Sequence, residues 1–144
     1  MPYPTEIQDI LDELSHFQER RDRIEILVSL ADQFKGVPPS VAQEPFPIER
    51  KIPGCESEVF LWTCLSDGMM HLEFAVQNPQ GLSAKALAYI LKMGLDGRPP
   101  SDAKLLDDDL VFSLFGTELS MGKSLGLTNM IRSVRSQALS LING

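Results

Sequence analysis

Apolar residues recur at helical spacing in four stretches of this chain and follow a strand-like pattern in two. Ile7, Ile10, Leu11 and Leu14 fall on one side of a first helix, with Asp9, Asp12 and Glu13 opposite and Thr5 placed to cap it. The pattern blurs at "SHFQERRDR", and a second helix runs through Ile24, Leu27, Leu30, Ala31 and Phe34. Gly36 should end it, and Pro38 and Pro39 block any continuation. Residues 37–51 hold four prolines and no helical period, which predicts a surface loop leading into a short extended piece near Ile48 to Ile52. "SEVFLWTCL" is rich in β-branched and aromatic residues and reads as a strand. "SDG" supplies a hairpin turn with Gly68 where positive φ is tolerated, and "MMHLEFAVQ" returns.

After "NPQG" the helical period resumes. Leu82, Leu87, Ile90, Leu91 and Leu95 mark a third helix. The stretch "DGRPPSDAKLLDDDLVFSLFG" predicts a turn and one or two short helices, with Ser101 or Asp102 as a cap. Leu127, Met130, Ile131, Val134, Ala138 and Leu141 form the stripe of a long closing helix. The expected order is α-α-β-β-β-α-α-α. That predicts an α+β fold, a small antiparallel sheet of about three strands with helices packed on one face. Residues 1–144 read as a single domain, without internal repeat or linker.

Composition narrows the function classes. A length of 144 residues suffices for one core, and 43% apolar with 23% charged residues is ordinary for a soluble globular chain. A net charge of −7 argues against nucleic acid and anionic membranes as partners, and suits docking to a basic patch on another protein. "MPYPTEIQDI" lacks the basic and apolar regions of a signal peptide, and every apolar run is far short of a membrane span. The expected location is the cytoplasm, where thiols stay reduced.

The candidate chemistry lies in "IPGC". Pro53 presets φ for the second position of a turn, and Gly54 can take the positive φ that the third position of a type II turn needs. Cys55 would then leave the turn at the mouth of the next strand, projecting from a loop tip, the geometry a thiol needs if it must reach another protein's active site. Arg50 and Lys51 favour its thiolate while Glu56 and Glu58 oppose it, and strand alternation leaves the balance open. The plainer reading makes Cys55 a small loop-filling residue. Cys64 lies inside "VFLWTC" and reads as a packed, structural residue. A Cys55–Cys64 disulfide is disfavoured, because nine residues of straight strand span roughly 30 Å.

Other chemistries find less support. His16 ends the first helix and His71 lies within a strand, with no oxyanion glycine motif or third orienting residue for a Cys–His hydrolase. Cys55, Cys64 and His71 fit no common zinc spacing, so no metal is expected. Asp107 to Asp109 lack the ligand alternation of a calcium loop and read as a solvated helix end.

Two separated segments in order, with the hairpin and third helix between them, carry a resemblance. They are the Gly-Cys-x-Ser-x-Val turn at Gly54, Cys55, Ser57 and Val59, and the Gly-Leu-x-x-Met-Ile-Arg segment at Gly126, Leu127, Met130, Ile131 and Arg132. The chain resembles the SufE family of sulfur-acceptor proteins over nearly its whole length. The resemblance implies a non-enzymatic carrier without a cofactor of its own. It would take persulfide sulfur onto Cys55 from a SufS-like, pyridoxal-phosphate-dependent cysteine desulfurase, stimulate that enzyme, and pass the sulfur to an iron–sulfur scaffold. Gly54, Ser57 and Lys123 are implied at the cysteine loop and the desulfurase interface. A monomer is the default expectation, with a dimer as the alternative. Three departures stand out: Lys123 where several relatives carry arginine, Gln80 near an acidic position, and Glu56 in place of a neutral residue. The alternative class is a thiol-dependent peroxidase or hydrolase using Cys55.

Overall fold

The computed structural model describes residues 3–54, 58–77, 81–117 and 119–143. Helices α1 (Thr5–Ser15) and α2 (Arg20–Asp32) come first, followed by a 3-10 turn at Ile48–Arg50 and the strands β1 (Val59–Ser66) and β2 (Met69–Val76). Helix α3 (Leu82–Leu95), a 3-10 turn at Pro100–Leu105, α4 (Asp109–Phe115) and α5 (Met121–Asn143) complete the order. The α+β class stands, but the described sheet has two strands. The segment expected to add a third coils into the turn at Ile48–Arg50, and Lys51 alone bridges to Phe60. Pro47 precedes that turn, and a residue with no N–H and a fixed φ is a poor start for a ladder.

The hairpin pairs Val59 with Val76 through to Ser66 with Met69. Alternation sends Leu61, Leu72 and Phe74 to the inner face, where all three are buried. Thr63 on that face donates its hydroxyl to Gln137 Oε1 of α5 at 2.8 Å. Phe60 and Trp62 take the outer face. Phe46 from the proline-rich loop sits 5.2 Å from each ring, edge-on to Trp62.

The free edge of β2 is closed by other parts of the chain. Met70 N–H donates to Arg98 O at 2.7 Å, Gly97 N–H donates to Met70 O, and Val37 N–H donates to Phe74 O. Asp96 Oδ1 accepts Leu72 N–H at 2.9 Å, and Lys92 Nζ donates to Leu72 O at 2.9 Å. Satisfied edge groups remove the template on which another chain could pair.

Helix α3 supplies the centre of the core, with Leu87, Ile90, Leu91 and Leu95 fully buried. Leu127, Met130, Ile131 and Val134 of α5 join them. Helix α1 crosses close to α3: a β-carbon at Gly94 would lie 2.5 Å from Ile7 Cγ1. Arg98 Nη2 holds both carboxylate oxygens of Glu6, at 2.9 and 2.7 Å, tying α1 to the turn after α3.

Several local expectations change. Thr5 is the first helical residue, with Pro4 in the capping position and no side-chain cap bond. Helix α2 stops at Asp32, before Gly36, with Gln33 still in right-handed conformation. The 3-10 turn begins at Pro100, and Asp102 faces Arg98 at 3.7 Å and makes no cap. The aspartate run is not merely a solvated end. Asp107 accepts the Tyr3 hydroxyl at 2.7 Å, and Asp108 pairs with Arg132 at 2.7 Å.

Candidate functional site

Ile52 anchors the approach to the turn. Its side chain is 2% exposed, and its N–H donates to Val59 O at 2.8 Å. A buried residue bonded to the first residue of β1 fixes the point from which the chain turns. Pro53 and Gly54 follow, and Gly54 has φ of +76°, as the Pro-Gly order predicts.

The turn rests on α5. Asn129 Nδ2 donates to Pro53 O at 2.8 Å. A β-carbon at Gly54 would collide with that same amide nitrogen and meet Leu125 Cδ2 at 3.9 Å. Glycine is therefore needed twice here, for its positive φ and for the close approach of backbone to helix. The residue that follows is Cys55. Cys55, Glu56, Ser57 and Gln80 lie outside the described residues.

The Gly126–Arg132 segment now has a physical reading. Gly126, Leu127, Met130 and Ile131 are buried, so most of it is core packing. Arg132 faces outward and pairs with Asp108. The Arg132 guanidinium, chiefly by its hydrogen bond, holds the Asp108 carboxyl below the usual carboxylate range. Asn129 lies one helical turn before Arg132 and was not among the candidates from sequence. Its only signal was its place in the spacer between Leu127 and Met130.

Lys123 lies inside the first turn of α5. Ser120 Oγ accepts the Lys123 N–H at 3.2 Å, and Ser120 O accepts the Ser124 N–H at 2.9 Å, so Ser120 caps the helix. Lys123 borders a cavity of about 450 Å³. Ile24, Leu27 and Leu114 line the cavity with Arg20 and Arg23. Gly54 does not line that cavity.

Cys64 departs from its expected packed position. It is exposed on the outer sheet face, directly across from His71. The strand period puts it there, two residues beyond Trp62 and past the cover that Phe46 supplies. His71 Nδ1 lies 3.5 Å from Asp96 Oδ2, and His16 Nδ1 lies 2.7 Å from Asp12 O. Among the described residues, no three acidic, histidine or cysteine side chains gather as a metal site, and no helix is long and apolar enough to cross a membrane.

Comparison with known proteins bears on this arrangement. The solution structure of a hypothetical protein from Thermus thermophilus superposes with a TM-score of 0.76 at 19% identity, covering 99% of both chains. At that identity it supports the fold alone. An uncharacterized SufE-like protein of Rhizobium etli is 28% identical over 138 residues, covering 92% of this chain and 88% of its own. The family model described as "SufE: Fe-S metabolism associated domain" matches residues 8–138. With that span taking in both the Pro53–Gly54 turn and the α5 segment on which it rests, the chain belongs to the SufE family, associated with Fe–S metabolism.

Proposed function

We propose that this protein accepts sulfur on Cys55 from the persulfide of a SufS-like, pyridoxal-phosphate-dependent cysteine desulfurase. It stimulates that enzyme and passes the sulfur to an iron–sulfur scaffold. The observation that carries the reading is the Pro53–Gly54 turn, held on α5 immediately before the cysteine. A thiol that must enter another protein's active site gains from a start point fixed in this way, because less conformational freedom is lost on docking.

The step is a thiol–disulfide type exchange. The Cys55 thiolate attacks the terminal sulfur of the desulfurase persulfide. A new S–S bond forms, the old S–S bond breaks, and the desulfurase cysteine leaves as a thiolate. Cys55 then bears the persulfide. No net oxidation occurs and no resident cofactor is required. Exposure beside a basic partner lowers a thiol pKa, so docking at a basic patch favours the reactive form.

A chain of net charge −7 suits a basic docking patch, and Lys123 with Ser57 and Gly54 belongs to the proposed contact. The protein acts as a monomer in the cytoplasm on this reading. The test is intact-mass analysis after incubation with a cysteine desulfurase and cysteine. The wild type should gain the mass of one sulfur atom on Cys55. Cys55→Ser should keep the fold and the docking but gain none. Sulfur found only on Cys64 would refute the site, and peroxide consumption without any partner would favour the peroxidase class.

A further inference from the structure

We propose that Asn129 is a positioning residue for sulfur transfer, acting on the cysteine through the backbone of the turn before it. This rests on the carrier reading and adds a residue to it. Among the described residues, the side chain of Asn129 makes a directed bond from Nδ2 to Pro53 O at 2.8 Å, across 76 residues of sequence. The same nitrogen occupies the space that a β-carbon on Gly54 would take. Both residues of the turn are thus set by one amide group on α5.

The platform beneath that group is packed into the core. Asn129 is flanked in α5 by the buried Leu127, Met130 and Ile131, and the Arg132–Asp108 pair ties the next turn to the start of α4. The other end of the approach is equally fixed, since Ile52 is buried and bonded to Val59. Between those two anchors the backbone of Pro53 and Gly54 has little freedom, and the residue that departs from Gly54 is Cys55. Leu125, about half exposed and in contact distance of the Gly54 position, supplies an apolar flank. A cysteine leaving such a mount departs from a fixed point of the backbone. Transfer within a docked complex depends steeply on orientation.

Asn129→Asp and Asn129→Ala test this. Asp keeps the size and removes the donor. Ala removes it without adding charge, at a partly exposed position where a helix former is tolerated. Each variant is mixed under single-turnover conditions with a SufS-type cysteine desulfurase charged with cysteine. Four quantities are read: the saturating transfer rate, the half-saturating concentration, the rate of Cys55 alkylation by iodoacetamide, and the thermal midpoint. Loss of one positioning hydrogen bond should lower the saturating rate about tenfold. Half-saturation and alkylation should stay within about twofold, since neither is asked to depend on aim. A merely structural role would lower the midpoint and leave the saturating rate of the folded fraction unchanged, and that result overturns the proposal. An equal fall in alkylation also overturns it, because the thiol itself would then be altered. If wild-type Cys55 takes no sulfur, the carrier reading fails and the positioning role with it. If the wild type takes sulfur and both variants match its rate, the positioning role alone fails.

Discussion

Gly94 and Gly54 both sit where a β-carbon would run into another side chain, yet they do different things. Gly94 is buried in the last turn of α3 and lets Ile7 of α1 come within 2.5 Å of the missing carbon's place. Its backbone is ordinary helix, so the absent side chain serves packing alone. Gly54 has φ of +76° on a surface turn, and the group it admits is a hydrogen-bonding amide. One close approach seals the core between two helices. The other aims a stretch of backbone. A missing β-carbon in a core contributes to stability, whereas one in a site contributes to geometry, and the two should separate under mutation.

The largest effect is expected at the core position. Gly94→Val overpacks the α1–α3 contact and puts a β-branched residue in a helix, which should cost about 3 kcal/mol. Urea denaturation should show a lower midpoint with an unchanged slope. The double variant Gly94→Val/Ile7→Ala should cost less than the sum of its parts, because removing Ile7 reopens the space. The sulfur-transfer rate of the folded protein should not move. A large loss of transfer at Gly94 would erase the distinction between the two glycines.

Gly54→Ala should cost less stability, about 1–2 kcal/mol, from a strained positive φ and the collision with Asn129. It should nonetheless slow transfer more than Gly94→Val does. Adding Asn129→Ala to Gly54→Ala relieves the collision, so part of the stability should return while the rate stays low. Recovery of both together would mean that space, and not the directed bond, is what matters at the turn.

The smallest effects are electrostatic. Arg98, chiefly by its hydrogen bond, lowers the Glu6 carboxyl pKa, and Arg132 does the same for Asp108. A carboxylate whose folded pKa lies below its unfolded value stabilises fully above the unfolded range. That contribution is lost as pH falls through the folded value. Thermal midpoints should therefore decline on acidification, and Glu6→Gln and Asp108→Asn should each flatten part of that decline. Tyr3 marks the alkaline side. Burial, helped by its bond to Asp107, pushes its hydroxyl up to about 12. Its contribution is complete below the ordinary tyrosine value near 10 and is lost as pH rises through about 12, so Tyr3→Phe should flatten the alkaline limb. Glu6 neighbours Ile7 of the Gly94 contact, and Asp108 is tied to the helix that carries Asn129. Only Asp108→Asn should touch the transfer rate, and then slightly.

What was legible in the sequence was local. Leu82–Leu95 was readable as a helix from its 3.6-residue period, and the hairpin from two strand-forming runs around Asp67 and Gly68. The Pro53–Gly54 turn was readable because a fixed φ followed by a residue free to take positive φ leaves few conformations. The family was readable because two separated motifs stand in the expected order along the chain. Of the misreadings, one was local and one was not. Ile48–Arg50 has strand-forming neighbours, but its short run after Pro47 coiled instead of pairing. Cys64 alternates correctly in the strand, yet its burial depended on how far the Phe46 loop reaches across the outer face.

By itself the chain's order of residues determined most of the segments that curl, extend or bend, because those choices depend largely on sterics and period within a few neighbours. Only the tertiary structure decided that Asn129 would meet Pro53 and that Arg132 would meet Asp108. Those meetings depend on how α5 lies against the hairpin and α4. That arrangement is set by the shape of the buried core, whose contacts join residues far apart in the chain and leave no trace in any short window of it.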